Sequence, residues 1–317
     1  LPAASAAVAL CGVVIAVAAG QRSEHPAEIG LFAYDAAAPL GVEERGRAAG
    51  GSFTRIDLTY LSPEGGKVPA MIYEPADPGP HPGIVLAHGM PGNRRTLEPL
   101  AAAYARAGAV VITITAPYAR PEAKYRSPAL FTLPLFDERD RYELVQTVKD
   151  LRRAVDLLVA YPSVDASQIG FVGHSYGGIA GAVLSGVEGR ICAYAIMTAP
   201  PGLTYRFRRS DGDDIARLVG RSSEQLEAWR EVMRPLDATR FVRFAAPAEL
   251  LFQIALDDRL VRPADAESLA VAGSEPKEVL VYHADHELLP QAFRDQAEWF
   301  ARCLSIDLSA FVAPDLR

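Results

Sequence analysis

A serine flanked by glycines, a pair of adjacent aspartates and a late histidine are the residues of this chain whose types and order suit nucleophilic chemistry. Ser175 stands in Gly173-His174-Ser175-Tyr176-Gly177, after Ile169-Gly170-Phe171-Val172 and before Gly178-Ile179-Ala180-Gly181. The short apolar run reads as a buried strand and the small-residue run as a helix. A G-x-S-x-G pattern between strand and helix is a sharp turn that leaves the serine hydroxyl exposed at its tip. Gly173 and Gly177 remove side chains that would collide where the backbone doubles back.

A serine hydroxyl is a weak nucleophile until a base takes its proton. Behind such a turn an acid and then a histidine follow on the ends of later strands. Leu256-Asp257-Asp258-Arg259-Leu260-Val261 follows the apolar run 250–255, and His283-Ala284-Asp285-His286-Glu287 follows 279–282. Asp257 is assigned as the orienting carboxylate because it begins an Asp-x-x-apolar arrangement ending at Leu260, with Asp258 as its rival. Of the six histidines, His283 and His286 alone follow the acid. His283 lies directly at a strand end, whereas His286 lies further out where the loop can turn back over Ser175. His286 is therefore assigned as general base and acid.

The negative charge that develops on a carbonyl oxygen needs backbone donors. Gly83-Ile84-Val85-Leu86-Ala87 is a strand that runs into His88-Gly89-Met90-Pro91-Gly92-Asn93, a glycine-rich loop able to supply one. The amides of Met90 and of Tyr176, the residue after the nucleophile, are assigned as the oxyanion donors. His88, Tyr118 and Phe207 are candidate substrate contacts. For His88 the rival role is to fix the loop. For Tyr118 and Phe207, as for Phe131, Phe136 and Tyr205, packing under a lid is an equal alternative. Arg94 and Arg95 read as solvated surface rather than an anion site.

These groups must be positioned by a chain of 317 residues, half of them hydrophobic, with a net charge of −7. That charge argues against a nucleic-acid partner, which needs a basic face. The three cysteines, Cys11, Cys192 and Cys303, show no metal-ligand spacing, and Cys192 with Cys303 is a candidate disulfide. Residues 1–20 carry no charge and are rich in Ala and Val, as in a secretory signal or a membrane anchor. Export, with or without a retained tether, is the expectation. Residues 21–52 read as an irregular lead-in, and 53–317 as the catalytic domain.

Residues 53–60 alternate with period two and 68–73 form a second strand, so the pair reads as an antiparallel hairpin. From Gly83 onward strands (84–87, 110–114, 169–172, 193–197, 250–255, 278–282) alternate with helices (96–107, 138–161, 264–272, 290–306). Such alternation implies an α/β domain with a mostly parallel sheet and helices on both faces. Two insertions break the rhythm, 116–137 and 200–244. The second, with helices expected at 213–219 and 223–232, reads as a helical cap over the strand ends, where pockets are built.

On His88-Gly89-Met90-Pro91-Gly92, Gly173-His174-Ser175-Tyr176-Gly177, Asp257 and His286, the chain resembles the α/β-hydrolase superfamily from about residue 53 to the C-terminal helix. Within it the chain is similar to the dienelactone-hydrolase, acetyl-esterase and prolyl-oligopeptidase-like branch. Ser175 stands where true dienelactone hydrolases carry a cysteine. The resemblance implies an α/β-hydrolase fold and a serine carboxylesterase that acts on a small-molecule ester through an acyl-enzyme, with neither metal nor organic cofactor. A peptidase, amidase or thioesterase would use the same groups. A noncatalytic binding protein of this fold is the rival from another class, and the intact Ser, Asp and His argue against it.

Overall fold

The computed structural model describes residues 26–120, 134–207 and 220–316. The expected signal or anchor at 1–20, Cys11, Phe131 and the helix expected at 213–219 lie outside the described residues. Among the described residues no helix is long and apolar enough to cross a membrane.

The N-terminal hairpin is β2 (Phe53–Leu61) and β3 (Lys67–Pro75), antiparallel and in unbroken register from Phe53↔Pro75 to Leu61↔Lys67. The lead-in departs from expectation. It holds a 3-10 helix (Ala27–Phe32) and a further strand, β1 (Glu43–Ala49), antiparallel to β2. Every residue of β1 is exposed, so Glu-Glu-Arg-Gly-Arg-Ala-Ala carries no apolar alternation by which to read it.

Six parallel strands follow: β4 (His81–Ala87), β5 (Val110–Ile114), β6 (Val164–His174), β7 (Ala193–Met197), β8 (Glu249–Ala255) and β9 (Lys277–Tyr282). The sheet order is β1-β2-β3-β5-β4-β6-β7-β8-β9. The connecting helices are α1 (Glu98–Arg106), α2 (Glu138–Val159), α3 (Tyr176–Ser185), α6 (Pro263–Ala272) and α7 (Pro290–Phe300), with α4 (Ser223–Met233) and α5 (Thr239–Val242) in the cap insertion. Helix α7 ends six residues short of the expected 306, because the chain turns after Phe300 and lays Leu304 against Gly170 of β6.

Alternate residues of each buried strand feed two cores, as pleating requires. Val85, Ile112, Phe171 and Ile196 pack on the side of α2 and α3. Ile84, Leu86, Val111 and Val172 pack on the side of α1 and α7. A fully satisfied polar chain crosses the second core. Tyr104 donates to Gln296 Oε1 at 2.8 Å, Gln296 donates to Gln253 Oε1 at 2.7 Å, and Gln253 donates to the Ala292 carbonyl at 2.7 Å. It ties α1, α7 and β8 together without an orphaned amide. Cys192 and Cys303 do not form the candidate disulfide: both are free thiols, donating to the Ile169 carbonyl at 3.3 Å and the Phe300 carbonyl at 3.6 Å.

The order of β4, β5 and β6 decides where chemistry can sit. The chain leaves β4 toward β5 on one side and returns from β5 to β6 on the other. A crevice opens at the carboxyl ends of strands where the winding reverses in this way. Those ends carry His88-Gly89-Met90 after β4 and Ser175 after β6, in register through Ala87↔Gly173.

Candidate active site

Ser175 has φ 53° and ψ −112°, a conformation rarely adopted by a residue with a side chain. The turn is held from three sides. Ser175 N–H donates to the Met197 carbonyl at 2.9 Å. A Cβ on Gly173 would run into the Gly177 carbonyl, and one on Gly177 into the Ala87 carbonyl. Only glycine at both positions lets β6 turn into α3 this tightly against β4. The strain is the kind kept at functional sites, and the turn presents Ser175 on the crevice.

His286 follows β9 and is buried. Its Nδ1 is 2.6 Å from Asp258 Oδ2, and the Asp258 side chain is 2 % exposed. The other Asp258 oxygen accepts the amides of Leu260 at 2.7 Å and Val261 at 2.9 Å. The assignment of Asp257 is therefore corrected: Asp257 is exposed, its backbone N–H donates to the Ala284 carbonyl, and it is Asp258 that pairs with His286. The Asp-x-x-apolar arrangement does operate here, one residue on. Its apolar end is buried Val261, while Leu260 is 43 % exposed. His283 is exposed at the end of β9.

The backbone of the His286 loop is also fixed. Its carbonyl accepts from His174 Nε2 at 2.9 Å and from Thr198 Oγ1 at 3.2 Å. The His174 ring lies 4.8 Å from the His286 ring. Burial, then the neighbouring His286, pushes the His174 pKa down to about 4, so the ring is a neutral donor at neutral pH. His174, which sequence reasoning passed over, thus joins the nucleophile turn to the histidine loop. Its only signal was its place beside the serine. Among the described residues no hydrogen bond yet joins Ser175 Oγ to His286 Nε2, and such bonds often tighten only with substrate bound.

His88 and Tyr118, assigned as candidate substrate contacts, are buried and hydrogen-bonded to the loop after β4, which corrects where that assignment placed them. His88 Nε2 accepts the Ala116 amide at 3.1 Å, which leaves Nδ1 to donate to the Gly89 carbonyl at 2.8 Å. Burial holds its pKa down near 4, so it stays neutral. Tyr118 OH donates to the same Gly89 carbonyl at 2.8 Å, and its ring meets Tyr176 edge-on at 5.2 Å. Both side chains brace the loop that carries Met90. Arg94 is occupied by a two-oxygen pairing with Asp57 at 2.9 and 3.1 Å.

A cavity of about 50 Å³ opens on Ser175, with Met90 and Tyr176 in its wall. Side chains such as Ile179, Leu203, Phe207 and Val261 make the wall largely apolar. Phe207, a sequence-assigned candidate contact, lines the cavity that opens on Ser175. Phe136 and Tyr205 do not line it. Phe136 packs edge-on against Phe207 and Trp229, each at 5.1 Å, and Tyr205 donates to Asp237 at 3.0 Å. Among the described residues no group of three or more His, Cys, Asp or Glu side chains is placed to hold a metal.

Residues 84–307 match the sequence profile of the alpha/beta hydrolase family. The chain belongs to that family. Solved structures with the same architecture include an acetyl xylan esterase from a Paenibacillus species, 22% identical, with TM-score 0.69 over 84% of this chain and 90% of that one. An acetyl xylan esterase from a Thermoanaerobacterium species is 17% identical, with TM-score 0.68 over 90% and 95% of the two chains. A glucuronoyl esterase from Solibacter usitatus is 19% identical, with TM-score 0.61 over 84% and 86%. At these identities the likeness is one of fold. No curated protein sequence matches the chain.

Proposed function

We propose that this α/β hydrolase is a serine carboxylesterase for small acyl groups. The observation that carries the reading is the buried Asp258–His286 pair, 2.6 Å apart, on the same strand-end crevice as the strained Ser175 turn. Ser175 Oγ attacks the ester carbonyl carbon and its proton passes to His286 Nε2. Asp258 keeps the His286 proton on Nδ1 and stabilises the imidazolium without taking that proton. The Met90 and Tyr176 amides hold the oxyanion. The carbon–oxygen bond to the alcohol breaks, and His286 returns its proton to the leaving oxygen. Water then attacks the acyl-enzyme, gives a proton to His286 and releases the acid, and Ser175 recovers its proton. The names of the structural neighbours, acetyl xylan and glucuronoyl esterases, agree with carboxylic ester chemistry.

The cavity argues for the acyl size. The cavity is small and its wall largely apolar, which favours a short acyl group over a long chain. The test is hydrolysis of p-nitrophenyl esters from acetate to palmitate. Once the cavity is filled, each further methylene should lower kcat/KM by about tenfold or more. Palmitate turned over as readily as acetate would contradict the small pocket, and turnover confined to amides or peptides would contradict the esterase reading.

A further inference from the structure

The wall of this cavity is not self-supporting. Phe207 belongs to a short 3-10 helix (Leu203–Phe207) and leans on Phe136 and Trp229. Trp229 and Arg230 are neighbours on α4, and Arg230 Nη2 holds the Phe207 carbonyl at 2.7 Å. Beyond this apolar packing, a buried carboxylate ties the cluster to α2. The anchor is Asp140, 1 % exposed in the first turn of α2. One carboxylate oxygen accepts the Leu135 amide at 2.9 Å. The other accepts the Phe136 amide at 2.8 Å and the Trp229 indole Nε1–H at 2.9 Å. Phe136 has φ 61°, a conformation that L side chains rarely adopt, and the hydrogen bond from its backbone N–H to Asp140 holds it there with the ring in the cluster. Arg221 from the cap closes the other side, with Nη2 on the Leu135 carbonyl at 3.3 Å.

We propose that Asp140 is a specificity-positioning residue: it latches the cap to α2 through Trp229 and the 135–136 backbone, and so sets how far Phe207 closes the acyl pocket. The proposal rests on the esterase reading of Ser175 for its readout, not for its geometry. Asp140 touches neither substrate nor the reacting groups. Among the described residues, three N–H groups converge on its two oxygens. An asparagine must turn an NH2 toward at least one of them, and a buried donor facing a donor is costly. Trp229→Phe is the milder cut, since it keeps an aromatic ring and removes the indole N–H.

The experiment compares wild type, Asp140→Asn and Trp229→Phe by kcat/KM on p-nitrophenyl acetate and hexanoate, with hydrogen–deuterium exchange on the same samples. The latch predicts that the hexanoate-to-acetate ratio rises about tenfold in Asp140→Asn and less in Trp229→Phe. Acetate kcat should stay within about twofold, because no transition-state contact is lost. Exchange should rise in peptides covering 134–136, 203–207 and 223–233 together. A merely structural role would lower both esters in parallel and leave the ratio unchanged, which would overturn the proposal. Exchange raised only around 138–142 would overturn it as well. Wild type inactive on both esters would sink the esterase reading, and the exchange pattern would still decide whether the latch exists.

Discussion

Asp258→Asn should lower kcat on a small ester by about 10⁴-fold, while Asp257→Asn should leave it within about twofold. The asymmetry follows from what each carboxylate touches. Asp258 gives one oxygen to the Leu260 and Val261 amides and the other to His286 Nδ1. In Asp258→Asn the amide oxygen is claimed by those two backbone donors, which turns the NH2 toward Nδ1. Nδ1 must then accept, the ring proton moves to Nε2, and Nε2 can no longer take the Ser175 proton. The fold has little reason to change, because the side chain is isosteric and both backbone amides stay satisfied. Asp257 is exposed and forms no part of this network. Steady-state kinetics on the two variants, with circular dichroism as the folding control, checks the result. Loss of activity in Asp257→Asn with Asp258→Asn intact would reverse the assignment.

Ser175→Ala should abolish ester turnover to a comparable or greater extent, about 10⁴-fold or more in kcat. Alanine meets the same backbone geometry at φ 53° with the same Cβ, so the turn keeps its strain and its packing. What goes is Oγ alone. With the Met90 and Tyr176 amides in the proposed oxyanion role, the variant should keep a residual rate above water rather than none. KM should therefore move much less than kcat. A full melting transition at the wild-type temperature, measured beside the kinetics, would show that the loss is chemical.

Much of this arrangement was legible because some positions have a single physical solution. Gly173 and Gly177 sit where any side chain would run into a neighbouring carbonyl, so the pattern around Ser175 could be read without a structure. The parallel strands were legible for a related reason. Strands β4, β5, β7 and β8, buried on both faces, are continuous apolar runs such as Ile84-Val85-Leu86 and Val110-Val111-Ile112. Strand β1 was not, since all of its residues face solvent and its place depends on the edge of β2.

Asp257 and Asp258 have the same chemistry one position apart. What separates them is that Val261 is buried while Leu260 is exposed, a property of the folded loop and not of the residue types. His88 and Tyr118 showed the right polarity for substrate contact, yet both are spent on the Gly89 carbonyl. Asp140 was hidden by its setting. An acid in the first turn of an amphipathic helix is favoured by the helix dipole alone, so nothing marked it as the partner of a distant tryptophan.

The central claim, that Ser175 is an activated nucleophile served by His286 and Asp258, is tested most directly by covalent labelling. A fluorophosphonate reacts with a serine only where a base and an oxyanion site activate it. Intact wild-type protein should take up one adduct per chain, mapped to Ser175 by peptide mass spectrometry, with ester turnover lost in step. Asp258→Asn should label far more slowly. An adduct on another residue, or full ester turnover by protein that never labels at Ser175, would contradict the account.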